Sequence, residues 1–206
     1  MNMWYRILTL FTFFVSVESY TICVAGASSG LGKELIFQGL HMKKYNVIAL
    51  TNNSDKIRTP YRGEGLDDYL LDNIENDKLD VYNYNSTIPS YDALILTMGG
   101  SAFEKNDFSY DVTENLLNNI DSNCKSVVLI SAYGVGSSIE GANIGIIAMK
   151  NWYLKNVYIS KEKQEKLLKK YRIKQKIYRP KVLSYGDTPF ESTPREKLAE
   201  TILNNL

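Results

Sequence analysis

The stretch TICVAGASSGLGKEL, residues 21–35, decides the fold of this chain. Its first five residues are apolar or β-branched and predict a buried strand. Residues 31–40 carry apolar side chains at helical spacing and predict a helix. Between the two lies a turn rich in glycine and serine. A strand that enters such a turn and leaves as a helix is a setting in which proteins bind nucleotide phosphates.

The glycines of the turn, Gly26, Gly30 and Gly32, have the spacing G-x-x-x-G-x-G. Gly26 permits a tight turn after the strand, Gly30 lets a diphosphate approach the backbone, and Gly32 lets the helix pack closely on the strand. The N–H groups and the dipole of the helix start favour negative charge, and Ser28 and Ser29 add hydroxyl donors. We therefore predict a dinucleotide-binding turn, the alternative being a turn that only shapes the backbone.

The rest of the chain alternates short apolar strands with helices. Strands that are apolar on both faces require a parallel sheet covered on both sides, and right-handed crossovers then give a doubly wound α/β domain. The ligand crevice of such a sheet lies at the carboxyl ends of its strands. The predicted strands are 21–25, 45–50, 79–82, 93–97, 127–131 and 176–178, and the predicted helices are 31–40, 66–74, 112–120, 160–171 and 194–206. Thr193 is the predicted N-cap of the last helix, with Pro194 as its first residue.

Composition excludes several classes of function. The chain has 206 residues, which suits one domain, and a net charge of +1, which gives no electrostatic reason to expect a nucleic-acid partner. Two cysteines and one histidine nearly exclude a metal site built from these ligands, so no metal is predicted. We expect Cys23 to be a small core residue and His41 to lie at the exposed end of the first helix.

The first twenty residues have the three-part pattern of a secretory signal peptide. Arg6 precedes a largely apolar run over residues 7–17, and Val17 and Ser19 are small enough for a cleavage site before Tyr20. The prediction is a targeting peptide over residues 1–19 and one domain over residues 20–206, with no stable membrane span in the mature chain. We predict that this peptide directs the chain into the secretory pathway, to the endoplasmic reticulum or a complex plastid. The alternatives are an extra strand or an interfacial anchor, and a cytoplasmic location.

The end of the second predicted strand indicates which dinucleotide is bound. An acidic residue there would hold the ribose 2′-hydroxyl of NAD, but this chain has Thr51 and Asn52 followed by further polar residues. Lys56 and Arg58 follow closely and are candidates for binding a 2′-phosphate. The sequence therefore favours NADP(H) over NAD(H), unless these two cations are only solvated loop residues.

The loop GASSGLG closely resembles that of the short-chain dehydrogenase/reductase superfamily. Residues 79–81 resemble the family's adenine contact, residues 96–100 the turn beside the nicotinamide ribose, residues 128–131 the strand that ends in the active-site serine, and residues 177–183 the "RPxxL" segment of atypical members. Length and layout are most similar to the small atypical group with NmrA-like proteins and biliverdin/flavin reductases. The resemblance implies a single Rossmann-like domain whose cofactor contacts are Gly26, Ser28, Ser29, Gly30, Leu31, Gly32, Thr51, Asn52, Asp80, Val81, Thr97, Met98 and Gly99.

The chain departs from the family at the catalytic Tyr-x-x-x-Lys motif. SKEKQEKLL aligns with the family's "SKxxxExLL", which places the lysine at Lys161 and the tyrosine position at Val157. Tyr158 is one residue late, and an offset of one residue turns a side chain by about 100° around a helix. Tyr158 and Lys161 form a shifted catalytic pair, or else Tyr158 only packs and Lys161 binds the cofactor ribose or solvent. Ser131 donates to substrate, or else it caps the following loop.

Three functions fit these residues. The first is an NADPH-dependent reductase of an unidentified small molecule, whose acceptor takes its proton from water or from Ser131. The second is a non-catalytic NADP(H)-binding sensor or assembly factor that has lost the catalytic tyrosine. The third is a carbonyl reductase or sugar-nucleotide epimerase that uses the shifted pair. We expect the substrate pocket to be lined from residues 102–107, 133–149 and 183–194, and the sequence predicts no oligomeric state.

Overall fold

A computed structural model describes residues 19–42, 44–57, 79–99, 107–142, 144–185 and 191–206. The predicted helix 66–74, Arg58 and nearly all of the predicted targeting peptide lie outside the described residues. Six strands form one parallel sheet: β1 (Tyr20–Ala25), β2 (Tyr45–Leu50), β3 (Asp80–Tyr82), β4 (Ala93–Leu96), β5 (Ser126–Ile130) and β6 (Lys174–Tyr178). Their order is β3-β2-β1-β4-β5-β6, which confirms the predicted Rossmann-like, doubly wound α/β domain.

Helices cover both faces of this sheet. Their bounds are α1 (Gly30–His41), α2 (Phe108–Asn118), α3 (Ile144–Ala148), α4 (Lys155–Leu168) and α5 (Arg195–Leu203), with a π-helix over Met149–Tyr153 and 3₁₀ helices over Ser54–Lys56 and Gly136–Gly141. Two short strands, β7 (Val182–Ser184) and β8 (Ser192–Pro194), pair in parallel beside the main sheet. The described chain therefore has one main sheet with a small two-stranded addition near its carboxyl terminus.

The apolar residues of β1 alternate between two hydrophobic cores. Ile22 and Val24 pack with apolar residues of α1 and α5 on one face, whereas Cys23 and Ala25 pack with those of α2 and α4 on the other. All four side chains are fully buried. This two-faced burial explains why the strand is apolar at every one of these positions. The expected core position of Cys23 is confirmed, and burial raises the pKa of its thiol well above the ordinary value.

Several predicted element boundaries are wrong. α2 begins at Phe108 rather than at residue 112. α4 begins at Lys155 rather than at residue 160, and Tyr158 in its first turns is buried in the tertiary structure despite the weak helix propensity of aromatic residues. Thr193 does not cap α5, whose N-cap is Pro194 and whose first residue is Arg195. Thr193 lies in β8 instead, and its hydroxyl accepts a hydrogen bond of 3.2 Å from the Lys181 N–H.

Candidate cofactor and active site

The turn after β1 draws the ends of several strands together. Gly26 has a φ of 85°, a left-handed conformation that favours glycine. Its N–H donates to Leu50 O at 3.1 Å and to Tyr84 Oη at 3.0 Å. A Cβ at Gly26 would lie 2.5 Å from Thr97 Oγ1, at the end of β4. The turn is therefore closed by β2, β4 and the segment after β3, and only glycine fits its first position.

The start of α1 packs directly on this turn. A Cβ at Gly32 would lie only 2.2 Å from Gly26 O, so the close approach of helix and strand expected from the sequence is present. Ser29 is the N-cap of the helix, and its hydroxyl accepts a hydrogen bond of 3.0 Å from Gly32 N. Gly30 and Leu31 are the first two residues of the helix. Their binding of a diphosphate remains a prediction.

Four hydroxyl groups meet around the turn. Thr97 Oγ1 donates to Ala25 O at 2.8 Å, so Ser29 Oγ, 3.2 Å away, is the donor between the two side chains. On the other side, Thr51 Oγ1 donates to Ser28 Oγ at 3.1 Å. The structure therefore brings together predicted cofactor residues from the turn, from the end of β2 and from the end of β4.

No carboxylate stands directly after β2. Thr51 is buried and Asn52 is exposed. Asn53 Oδ1 accepts a hydrogen bond of 3.2 Å from Lys56 N and caps the short helix Ser54–Lys56. Asp55 lies inside that helix. The polar residues after β2 therefore present amides and hydroxyls at the edge where a dinucleotide ribose would lie.

Asp80 does not lie at the crevice. It is the first residue of β3 and pairs with Ile48, two positions before the end of β2. There it lines a surface depression with Tyr45 and Asn46, which lie at the amino end of β2. The prediction that Asp80 contacts adenine is corrected on this ground: β3 runs two residues further, through Val81 to Tyr82, so the first residue beyond the strand is Asn83. Val81 likewise lies within the strand.

The end of β4 is exposed at Gly99. Met98 is buried, whereas Gly99 is exposed, and among the described residues a Cβ at Gly99 would meet nothing within 4 Å. The two residues follow Thr97 at the same edge as the glycine turn.

Lys161 is buried between the ends of β4 and β5. Its Nζ donates to Met98 O, to Ile130 O at 2.7 Å and to Gln164 Oε1 at 3.3 Å. Burial lowers the pKa of Lys161 to about 7, and the negative charge of Glu165 opposes that shift. Lys161 thus holds the carboxyl ends of two adjacent strands, rather than pointing freely into the crevice.

Tyr158 does not pair with this lysine. Its hydroxyl donates to Tyr133 O at 3.0 Å, and burial raises its pKa. The tyrosine therefore binds the loop after β5, while the Lys161 amine binds the ends of β4 and β5. The two predicted partners share α4 but hydrogen-bond to different carbonyl groups, so the geometry does not assemble the shifted pair.

Ser131 directly follows β5 and is buried beside an ion pair. Its Oγ lies close enough to the Glu165 carboxylate to lower the pKa of that group, but reaches no partner at hydrogen-bond geometry. Glu165 itself is bound bidentately by Arg179, with Nε–Oε1 at 2.8 Å and Nη2–Oε2 at 2.7 Å. Burial favours the neutral acid, but these interactions outweigh it, so the pKa of Glu165 lies below its usual range. A buried hydroxyl without a partner is a donor available to a ligand.

The roles of Tyr84 and of the Glu165–Arg179 pair are not predicted from the sequence. Tyr84 lies in a polar stretch with no periodicity, so nothing in the sequence indicates that it reaches Gly26. The two residues of the ion pair do lie in recognisable sequence motifs. Glu165 is the glutamate of the "SKxxxExLL" pattern, four residues after Lys161, and Arg179 is the first residue of "RPxxL". Gly136 packs against this pair: its φ of 57° favours glycine, and a Cβ there would lie 2.9 Å from Glu165 Oε2.

The buried Lys161 predicts a specific pH dependence of stability. Its pKa of about 7 in the folded chain lies below that of an unfolded lysine, so the unfolded chain binds the extra proton. Stability should therefore rise from about pH 7 to about pH 9, by up to about 1.4 kcal/mol per pH unit. Urea unfolding at several pH values gives the free energy of unfolding of wild type and of Lys161→Met. The difference between the two proteins isolates the contribution of Lys161, because the other titrating groups contribute equally to both. Equal slopes for the two proteins would contradict the assignment.

The fold and this crevice define a nucleotide-binding protein of the doubly wound class. The chain belongs to the NAD(P)H-binding family, whose sequence profile matches residues 26–204. Its fold resembles that of short-chain dehydrogenases/reductases of known structure. No curated protein matches the chain in sequence.

Solved structures with similar folds include three bacterial proteins. ChuY, an anaerobillin reductase from Escherichia coli O157:H7, superposes with a TM-score of 0.62 and 15% identity, over 89% of each chain. The oxidoreductase YlbE from Lactococcus lactis gives 0.63 and 17%, over 90% of this chain and 84% of its own. A short-chain dehydrogenase/reductase from Veillonella parvula, in complex with NADP, gives 0.60 and 14%, over 90% and 86%. At these identities the likeness shows the fold.

Two other kinds of site are absent from the described residues. Across the described ranges, no helix is long and apolar enough to cross a bilayer. In the same part of the chain, no cluster of His, Cys, Asp and Glu residues is arranged to hold a metal ion.

Proposed function

We propose that the chain is an NADPH-dependent reductase of a small-molecule acceptor. The observation that carries the proposal is the convergence of the glycine turn and the Ser29 and Thr97 hydroxyls at one edge of the sheet. Gly26 and Gly32 have no room for a Cβ, whereas Gly99 is exposed, which fits a dinucleotide lying across the turn. When bound, the nicotinamide supplies the hydride, and the protein's contribution is to bind and orient it and to supply a proton.

A preference for NADP(H) is supported by the end of β2. The residues directly after β2 include no carboxylate to bind a ribose 2′-hydroxyl or to repel a 2′-phosphate, and the short helix that follows carries both Asp55 and Lys56. The similar structure from Veillonella parvula is in complex with NADP. In a fluorescence titration, NADPH should bind at least about tenfold more tightly than NADH. Tighter binding of NADH would overturn the preference.

Ser131 is the proposed proton donor to the acceptor, and water replaces the proton that its hydroxyl gives up. This buried hydroxyl lies beside the Glu165 carboxylate but has hydrogen-bond geometry to none of the described residues, whereas the Tyr158 hydroxyl is engaged with Tyr133 O. A flavin or a linear tetrapyrrole suits such a site, because neither acceptor needs a catalytic tyrosine as its proton donor. That ChuY is an anaerobillin reductase adds support for a reductase of this kind.

The decisive experiment is an NADPH oxidation assay with flavins and with linear tetrapyrroles as acceptors. Turnover should appear with one of these classes, and Ser131→Ala should lower kcat about 100-fold while NADPH affinity stays unchanged. The matched control is Ser137→Ala, which alters an exposed serine in the same loop. An equal kcat for the two variants would show that Ser131 takes no part in the reaction.

A second candidate function is a non-catalytic NADP(H) sensor or assembly factor. The specific observation in its favour is that Tyr158 and Lys161 both bind backbone carbonyls instead of forming a catalytic pair. The same assay separates the two functions. A sensor binds NADPH with measurable affinity but does not oxidise it, whichever acceptor is added. A carbonyl reductase or epimerase that uses the shifted pair is not favoured by this geometry.

We also propose that residues 1–19 are a targeting peptide that directs the domain of residues 20–206 into the secretory route. β1 begins at Tyr20, so cleavage after Ser19 would leave the sheet whole. Amino-terminal sequencing of the protein isolated from its cells should then begin at Tyr20. A mature chain that retains Met1 would contradict the proposal.

A further inference from the structure

The segment of α3 and the following π-helix exposes an unusual set of apolar side chains. Ile144 is 85% exposed, Trp152 is 84% exposed and Tyr153 is 62% exposed, and Ile147 is also exposed. We call these four residues the 144–153 surface. Other exposed apolar residues in the described chain, such as Val182 and Phe108, lie on separate elements. Contiguous exposed apolar residues of this kind indicate an interaction site.

Other side chains of the same segment, Ile146 and Lys150, contact the loop after β5 and α4, and these contacts fix the segment in place. A Cβ at Gly134 would lie 3.0 Å from Ile146 Cγ2, so Ile146 packs against the loop after β5. Lys150 Nζ donates to Gly134 O at 3.3 Å and to Glu162 Oε1 at 2.7 Å. Ile144 and Ile147 are three residues apart on α3 and share one side of it, and Trp152 and Tyr153 are exposed at the end of the π-helix that follows directly. The exposed side chains therefore share the outer side of a fixed segment.

Positive charge borders this surface. Both acidic side chains of α4 are already paired, Glu162 with Lys150 and Glu165 with Arg179. The exposed lysines nearby are Lys155 at the start of α4, and Lys166 and Lys169, which line a cavity of about 260 Å³ together with Lys150. Glu140, in the preceding 3₁₀ helix, is an exposed acid, so lysines outnumber acids around the surface.

We propose that the 144–153 surface docks on an anionic lipid bilayer. Trp and Tyr are the side chains that favour the boundary between water and hydrocarbon, and isoleucines beside them enter its apolar side. The bordering lysines are attracted to anionic headgroups. A second copy of the chain is the less suitable occupant, because a two-fold interface would bring these lysines against their own equivalents.

This docking is interfacial, so it requires no membrane-spanning helix. The docking residues differ from those proposed for cofactor binding and proton transfer, so vesicle binding and NADPH binding can be measured separately. The loop that carries the surface follows β5, so docking would bring the carboxyl edge of the sheet close to the lipid.

The test uses the full-length chain with Trp4→Phe, which leaves Trp152 as the one tryptophan. Vesicles of phosphatidylcholine containing about 30% phosphatidylglycerol are added, with pure phosphatidylcholine as the comparison. On the anionic vesicles, Trp152 emission should shift to the blue and be quenched by brominated lipid, and both effects should weaken as salt rises. Because Trp152 itself is the probe, attachment through residues 1–18 alone leaves its emission unchanged, and that result would overturn the proposal.

Charge variants separate lipid docking from other events. Lys155→Glu combined with Lys166→Glu should weaken vesicle binding about tenfold or more, whereas Lys197→Glu on α5 should leave it unchanged. Ile144→Ser should weaken binding, and Val182→Ser, at an exposed apolar site elsewhere, should not. Equal binding to neutral vesicles overturns the proposal. So does a blue shift that appears without vesicles as protein concentration rises, which would indicate self-association.

Discussion

Replacing Gly32 with alanine should destabilise the fold by about 3 kcal/mol and abolish NADPH binding. The added Cβ would lie 2.2 Å from Gly26 O, and that oxygen belongs to the backbone, so no side-chain rotation can relieve the overlap. The start of α1 must move away from the turn, and the N–H groups that would bind the diphosphate move with it. Urea unfolding measures the first effect, and a titration of NADPH fluorescence measures the second.

Gly99→Ala is the matched control for this prediction. Among the described residues a Cβ at Gly99 meets nothing within 4 Å, so the free energy of unfolding should stay at the wild-type value. A Gly32→Ala protein with wild-type stability would contradict the predicted overlap with Gly26 O. Destabilisation with unchanged affinity would separate the packing role of Gly32 from any role in binding.

Replacing Arg179 with methionine should lower the free energy of unfolding by about 3 kcal/mol at neutral pH. The Glu165 carboxylate accepts two hydrogen bonds from Arg179 and is almost fully buried. Without the guanidinium, an unpaired charge stays in the interior, which is more destabilising than losing an exposed ion pair. Urea unfolding at neutral pH measures the loss.

The same variant should recover part of its stability in acid. In wild type the pKa of Glu165 lies below its usual range, so the stabilisation it provides is lost as pH falls through that value. In Arg179→Met, burial without a cation raises the pKa of Glu165 above that of the unfolded chain, so protonation favours the fold. The deficit relative to wild type should therefore shrink from about pH 7 to about pH 5.

Lys125→Met is the control for the ion pair. It removes an exposed partner of Asp92, and exposed pairs contribute little, so unfolding should not change measurably. A deficit in Arg179→Met that stays constant with pH would show that the loss comes from packing of the arginine side chain rather than from the unpaired carboxylate.

The glycine turn could be predicted from sequence because its requirements are local. The backbone at Gly26 is left-handed, and the backbone at Gly32 contacts that of Gly26, six residues earlier. Both conditions favour glycine, so both are visible in the sequence. Cys23 was predictable for a similar reason, since a strand buried on both faces is apolar throughout.

The errors arise where distant parts of the chain decide the outcome. The motif at Asp80 does not reveal that β3 continues to Tyr82. The residue at the crevice is therefore Asn83, three positions after the predicted Asp80. Thr193 before a proline has the pattern of an N-cap, but pairing of β8 with β7 places it in a strand. The partners of Lys161 are backbone carbonyls, which every residue carries, and no residue type marks them in advance.

The position of Lys161 has a consequence for any attempt to restore a tyrosine–lysine dyad in this chain. Val157 lies one helical turn before Lys161, so a single substitution to tyrosine would place a phenol where related enzymes have one. The ammonium would nevertheless remain bound to Met98 O and Ile130 O, at the ends of two strands. These acceptors are backbone carbonyls, which no side-chain substitution removes. Adding the phenol alone would therefore leave the dyad unassembled, and an engineer would also have to shift the strand ends or α4 to release the amine.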